Sequence, residues 1–268
     1  MPQVEPVTSA IGTKLSNEAI EVLKKESDSF LGAVLGEPAK AIGGLFADKI
    51  NARRYRNLIA ITVEAKHRLV EAGVSPKEVP LKIIHPALEA ASLEDEPNLQ
   101  VVWGNLLANA ADPRDLAPVS AVFPAILKEL SPREVKFLDA LYADIEAKAR
   151  QKGKIPVGFY GVYTESGLRE VYSAAGLSQT QDFFRTSDSD SRAADDLRNF
   201  SYMMAILKRH NLMTDSIWPR TVGSYDAIKN PNPKPSDIEI ELNIEYSMSE
   251  IGLYFVAACN KPHTTVVT

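Results

Sequence analysis

Residues 95–113, DEPNLQVVWGNLLANAADP, decide the fold of this chain. Apolar side chains recur there at the spacing of one helix face: Leu99, Val102, Trp103, Leu106, Leu107 and Ala110. The opposite face carries only small or amide side chains: Gly104, Asn105, Ala108 and Asn109. Since neighbours can pack on both of these faces, the pattern predicts a central core helix over 97–111. Pro97 suits its first turn, Pro113 prevents its continuation, and Asp95 or Glu96 is placed to cap it.

Length and composition favour an intracellular globular protein. The chain has 268 residues, 45% of them hydrophobic, which is enough for a substantial core. Its formal charge of −5 gives no general attraction to nucleic acid or anionic membranes. The single cysteine, Cys259, excludes an internal disulfide. The first residues resemble no signal peptide, and no apolar run approaches the ~20 residues of a membrane span. We therefore expect a soluble, cytoplasmic protein.

The N-terminal half is predicted to be a multi-helix body over 14–130, built around helix 97–111 and preceded by a mobile N-terminus, 1–13. One segment, FLGAVLGEPAKAIGGLF at 30–46, is apolar but rich in glycine. Two interpretations compete there. Gly32 and Gly36 allow another helix to approach closely, or the segment lies on or enters a membrane. Glu37 and Lys40 interrupt the apolar run, which favours core packing.

A basic cluster follows on the next predicted helix: Arg53, Arg54 and Arg56. Together with Gly32 and Gly36, these arginines are the candidate interaction residues of the N-terminal half. The cluster can contact phosphates, but a solvated helix face that pairs with nearby acids is the more common arrangement.

The C-terminal half is predicted to form an α+β module over 131–260, followed by a tail, 261–268. Ser131, Pro132 and Glu134 match a capping box with proline in the first turn, which starts a helix. Residues 238–248, IEIELNIEYSM, alternate strictly between apolar and polar and predict a strand. The order of three helices, strand, loop, strand and helix resembles a winged-helix module with a two-stranded hairpin. The predicted class is mainly α, with this module at the C-terminus.

Charge argues against DNA binding by this module. From residue 131 onward there are 16 Lys and Arg against 18 Asp and Glu. The helix that would enter the major groove carries acids in its N-terminal half, where they would repel phosphates. If the module does bind nucleic acid, the contacts are expected from four cations on that helix: Arg192, Arg198, Lys208 and Arg209.

No catalytic motif is found in the sequence. The four histidines are scattered, and there is no glycine-rich phosphate loop, nucleophile elbow or metal-ligand spacing. We therefore expect a protein that is not an enzyme and that has no catalytic residues, cofactor or metal.

Three blocks of the sequence resemble the Abi-alpha family, bacterial proteins associated with abortive infection, which is a form of anti-phage defence. The blocks are LEDEPNLQVVWGNLLANAADP (93–113), AVFPAILKELSPREVKFLDAL (121–141) and IEYSMSEIGLYFVAACN (244–260). The glycine-bearing segment 32–46 is also similar to the N-terminal part of the family. The chain departs from the family where Met248-Ser249 replaces Leu-Thr, although serine can still cap a helix. The resemblance implies a defence role and supplies no catalytic motif.

Three functions remain open at this point. The first is a non-enzymatic phage-defence protein that acts through protein contacts, or through release of 30–46 towards a membrane. The second is a winged-helix DNA-binding transcriptional regulator. The third is an oligomeric scaffold in which the small-residue face of helix 97–111 is the interface. A protein partner or self-association is expected in the first and third cases.

Overall fold

The computed structural model describes residues 17–36, 52–152, 161–178, 189–222 and 239–262. Within these ranges the chain is mainly helical, with a small antiparallel sheet. The elements in chain order are α1 (Asn17–Leu35), α2 (Ala52–Glu71), α3 (Leu81–Ala91), α4 (Pro97–Ala111), α5 (Phe123–Glu129), α6 (Pro132–Lys152), β1 (Val162–Tyr163), α7 (Glu165–Ala174), α8 (Ser189–Arg209), β2 (Met213–Val222), β3 (Glu239–Met248) and α9 (Glu250–Cys259).

The chain divides into two compact units, one of residues 1–135 with 254–268 and one of residues 136–253. The division falls inside α6 and inside α9. The sequence predicts a boundary at 130/131 and places 254–260 in the second domain.

The first unit is organised around α4, as the sequence predicts. Trp103, Leu106 and Leu107 are each 1% exposed, and Gly104, Asn105, Ala108 and Asn109 on the opposite face are buried as well. Helix α2 packs against α4, and α1 packs against α2. The small-residue face is therefore covered by the chain itself, which removes the surface that the scaffold hypothesis requires.

The cap predicted for α4 is wrong. Glu96 is the N-cap residue, but neither its side chain nor that of Asp95 accepts a hydrogen bond from the first turn. The side-chain amide of Gln100 instead donates to the backbone carbonyl of Glu94 at 2.8 Å, which attaches the first turn to the preceding connector. Asp95 is used elsewhere, by residues of α2.

An ion pair holds the chain where it leaves α4. Arg114 donates to both carboxylate oxygens of Asp112, at 2.6 and 3.0 Å for the shortest contact to each, and its backbone N–H adds a bond of 2.9 Å. Burial alone would raise the pKa of Asp112, but the hydrogen bonds and the charge of Arg114 outweigh it, so this pKa lies below its ordinary value. Asp112 is 2% exposed, so this pair is little screened by solvent.

Replacing Asp112 by asparagine is expected to cost about 1.5–3 kcal/mol of unfolding free energy at pH 7, where the carboxylate is ionised. Since the folded pKa lies below the unfolded value of about 3.9, the stabilisation is complete above that value and disappears as pH falls through the folded pKa. Urea unfolding at pH 7 and pH 3 measures the difference. Asp115→Asn is the control, because Asp115 is 63% exposed on its side chain and lies 3.6 Å from Lys77. Equal losses for both variants would contradict the assignment.

The second unit combines helices with the sheet, whose strand order is β1-β3-β2. Strands β2 and β3 form a ten-residue antiparallel hairpin, and β1 pairs through Val162 opposite Ser247 and Tyr163 opposite Tyr246. The predicted two-stranded hairpin is therefore present as β2 and β3, and β1 extends it to a three-stranded sheet. A two-residue strand is too short for alternation to show in the sequence.

The start of α6, the end of α8 and the start of α9 follow local sequence signals. The Ser131 backbone N–H donates to Glu134 at 2.7 Å, which confirms the capping box at the start of α6. Asn211 ends α8 with φ of 55°, a left-handed conformation that asparagine tolerates. Ser249 accepts a hydrogen bond from the Gly252 N–H at 2.9 Å, so serine does cap α9. Gly252 has no room for a side chain there, because a Cβ would lie 2.2 Å from the Leu212 carbonyl oxygen.

Candidate interaction surfaces

The arginines at the start of α2 bind the connector between α3 and α4. Arg53 donates to Asp95 at 2.7 Å, and Arg54 donates twice to the Ser92 hydroxyl, at 2.7 and 2.9 Å. Asn57 also donates to Asp95, at 3.0 Å, and this bond together with those from Arg53 lowers the pKa of Asp95 although burial acts in the opposite direction. The cluster therefore attaches α2 to the connector. Arg56 is exposed on the same helix.

Gly32 and Gly36 do not meet in a common contact. Gly32 is exposed, and a Cβ added to it would meet no described atom within 4 Å. Gly36 follows the last residue of α1 with φ of 59°, where its N–H bonds the Gly32 carbonyl at 3.2 Å. Its role is therefore to end α1. On α1 the neighbouring Phe30 and Val34 are buried, which agrees with core packing, whereas 37–46 lie outside the described residues.

A buried ion pair on α2, which the sequence analysis did not predict, packs against α4. Glu64 and Arg68 are bonded to each other, with side chains only 3% and 10% exposed. Glu64 packs directly onto Gly104 of α4, where a Cβ would lie 2.7 Å from the Glu64 Cγ. The spacing of four residues was a usable signal for the pair, but its burial depends on the glycine of another helix.

Two asparagine side chains of α4 donate hydrogen bonds to the backbone carbonyls at the end of α9. Asn105 donates to the Cys259 carbonyl at 3.0 Å, and Asn109 donates to those of Ala258 and Asn260, at 2.8 and 2.7 Å. The last carbonyls of a helix have no partner within it, so these side chains satisfy them. The amides on the small-residue face of α4 thus have a structural role.

Two of the four cations proposed for nucleic-acid contact, Arg198 and Lys208, pair with neighbouring acids. Arg198 pairs with Asp195 at 3.2 Å on α8. Lys208 pairs with Asp215 of β2 at 2.8 Å and lies 5.7 Å from the ring centroid of Tyr246. Arg209 is exposed at the end of the same helix, and the side chain of Arg192 lies outside the described part.

The solvent face of α8 is rich in small and apolar side chains. Phe200, Met203, Met204 and Leu207 face the core, each at most 5% exposed. Leu197 continues the helical spacing of these core residues, but it is 45% exposed, and Tyr202 is 70% exposed. The exposed positions recur along the helix: Ala194, Leu197, Arg198, Ser201, Tyr202, Ala205, Lys208 and Arg209. We call this set the α8 face. It combines three small side chains, a leucine, a tyrosine and three cations.

The hairpin exposes a second apolar surface. Ile217 and Ile244 are directly paired across β2 and β3, and they are 57% and 41% exposed. The same side of the hairpin carries Met213 and Met248, which are buried at its base. Trp218, on the other side, is 60% exposed. The apolar face predicted for β3 is therefore buried at the base of the hairpin and exposed to solvent farther along the strand.

A polar cluster joins β1 to α6. The buried Tyr163 hydroxyl donates to Asp144 at 2.5 Å, and Lys148 contacts the same carboxylate at 2.6 Å while lying over the Tyr163 ring. Burial and the carboxylate both raise the pKa of Tyr163. A tyrosine that holds its proton this firmly acts as a hydrogen-bond donor, so the cluster anchors the short strand.

The described helices contain none long and apolar enough to cross a membrane. In comparisons with known proteins, the family model described as abortive infection alpha matches residues 50–259. No curated protein and no solved structure matches the chain.

Proposed function

Since this chain belongs to the abortive infection alpha family, we propose that it serves phage defence in the bacterial cytoplasm by contacting protein through the α8 face, without catalysing a reaction. The observation that carries the proposal is the exposure of Tyr202, at 70%, on a helix face whose cations Arg198 and Lys208 are already paired with acids. Tyrosine is among the residues that contribute most binding energy at protein interfaces.

The architecture of the second unit supports a winged-helix assignment within this proposal. The order α6, β1, α7, α8, β2, β3 and the strand order β1-β3-β2 are those expected of that module. In this assignment α8 is the helix that enters the major groove in DNA-binding relatives. Many sites of different function occur on one fold, so the module is compatible with protein contacts.

The same topology favours DNA binding as the second candidate function. Arg198 and Lys208 would then leave their acidic neighbours and, together with Arg209, contact phosphates. Each contact of that kind makes the affinity dependent on salt. Retention on duplex DNA that weakens steeply with salt would support this candidate, and absence of retention at low salt would remove it.

Release of 30–46 towards a membrane remains the other proposed route of action, and it would require α1 to leave the first unit. Phe30 and Val34 are 1% and 0% exposed there, so release would expose a large apolar area to water unless lipid received it. This burial makes protein contact the preferred mechanism.

Replacing Tyr202 by alanine is expected to abolish most of the phage protection without loss of stability, because the side chain is exposed and alanine favours helix. Efficiency of plating on bacteria that express each variant measures the effect. Tyr254→Ala is the matched control, since Tyr254 is 50% exposed on α9 and is outside the α8 face. Protection by the Tyr202 variant at the wild-type level, with equal protein abundance, would refute the proposed contact surface.

A further inference from the structure

Three residues of α8 repeat at an interval of seven: Asp195, Tyr202 and Arg209. Seven residues are close to two helical turns, so the three lie along one line of the helix surface. The Asp195 side chain is 50% exposed, Tyr202 is 70% exposed, and Arg209 is exposed. The line therefore presents an acid, an aromatic ring and a base to solvent, in that order.

This order is complementary to itself. When two α8 helices lie antiparallel about a two-fold axis at Tyr202, Asp195 of each copy faces the partner's Arg209. The two Tyr202 rings then meet at the axis. In a two-fold interface, a contact from one residue of the first copy to another residue of the second copy occurs a second time with the copies exchanged. The line meets this requirement, because both copies contribute the same acid and the same base.

The residues beside this line permit close approach of two helices. Ala194, Ser201 and Ala205 are small and exposed, and they occupy the centre of the α8 face. Leu197 adds apolar area at its edge. Small side chains let helix axes come near each other.

We propose that the partner of the α8 face is a second copy of this chain, bound through antiparallel pairing of the two α8 helices. This inference rests on the proposed function and specifies its partner. The charge order selects a second copy: a partner of uniform charge, such as DNA or an acidic peptide, would meet repulsion at one end of the line.

A charge exchange between two variants tests the pairing. Asp195→Lys makes both ends of the line basic, and Arg209→Glu makes both ends acidic. Each variant alone is expected to associate about tenfold more weakly than the wild type, since both symmetry-related pairs become repulsive. An equimolar mixture is expected to regain wild-type association, because each end of one chain then faces the opposite charge. Light scattering after size exclusion reports the mass, which is 29.4 kDa for one chain.

The mixture separates this proposal from effects within one helix. Arg209 also complements the dipole at the end of α8, and Asp195 pairs with Arg198, so either variant can lower the stability of the helix itself. Mixing cannot repair such an effect. Glu165→Lys, which breaks the pair of Glu165 with Arg169 on α7, is the matched control and is expected to leave the mass unchanged.

Each outcome decides the proposal. A wild-type mass of one chain at all concentrations, or a mixture that associates no better than its components, would overturn it. A monomeric wild type combined with loss of protection in Tyr202→Ala would leave the proposed function standing, with a different protein as partner. A dimer that Tyr202→Ala dissociates without loss of protection would support the pairing and refute its use in defence.

Discussion

Replacing Trp103 by alanine is expected to lower the free energy of unfolding by about 3–5 kcal/mol. The side chain is 1% exposed at the centre of α4 and is the largest of the fully buried side chains in the described residues. Its removal loses the transfer free energy of the indole and leaves a cavity between helices that α4 holds in place. Urea unfolding followed by far-ultraviolet circular dichroism measures the loss.

Trp218→Ala is the matched control, because the chain has only these two tryptophans and Trp218 is 60% exposed on the hairpin. Its effect on unfolding is expected to stay within about 0.5 kcal/mol. Fluorescence of the two variants adds an independent check: the variant that retains Trp103 should emit at shorter wavelength than the one that retains Trp218. Similar losses of stability in both variants would contradict the central position of α4.

Replacing Glu64 by alanine is the second large expected effect, with a loss of about 3–5 kcal/mol, because it leaves the Arg68 guanidinium buried without its main partner. The Arg68 Nε atom already has no hydrogen-bond partner among the described residues, and the carboxylate of Glu71, which would still contact the guanidinium, is partly exposed to solvent. Denaturant unfolding at pH 7 and moderate salt measures the loss.

Glu71→Ala is the control for this pair. Glu71 also contacts Arg68, at 3.0 Å, but its side chain is 46% exposed, so a loss below about 1 kcal/mol is expected. Replacing both Glu64 and Arg68 by leucine is expected to cost far less than Glu64→Ala alone, since no buried charge remains. A double variant as unstable as the single one would show that packing against Gly104, and not the unpaired charge, governs the effect.

The sequence predicted those elements whose signals lie within a few residues. The stripe through Trp103 gave α4, and the box of Ser131 and Glu134 gave the start of α6. The cap of α4 could not be predicted, because Asp95 is bound by Asn57, which is 38 residues away. The helix propensity of the residues around Asp95 contains no information about a hydrogen-bond partner so far away in the sequence.

The candidate surface was harder to predict than the fold. Leu197 continues the helical spacing of the core residues Phe200 and Met204, and only the packed structure shows that it faces solvent. The heptad of Asp195, Tyr202 and Arg209 was visible in the sequence, but its exposure was not. Periodicity identifies the residues that share a face and leaves open whether that face is covered.

Phage defence through contact between two α8 helices is tested most directly by the efficiency of plating of phage on bacteria that express the charge-exchanged variants. Asp195→Lys or Arg209→Glu alone is expected to lose the protection that the wild type gives, and co-expression of the two is expected to restore it. If either folded variant protects fully on its own, or if co-expression restores nothing, contact between two α8 helices is not how this protein acts.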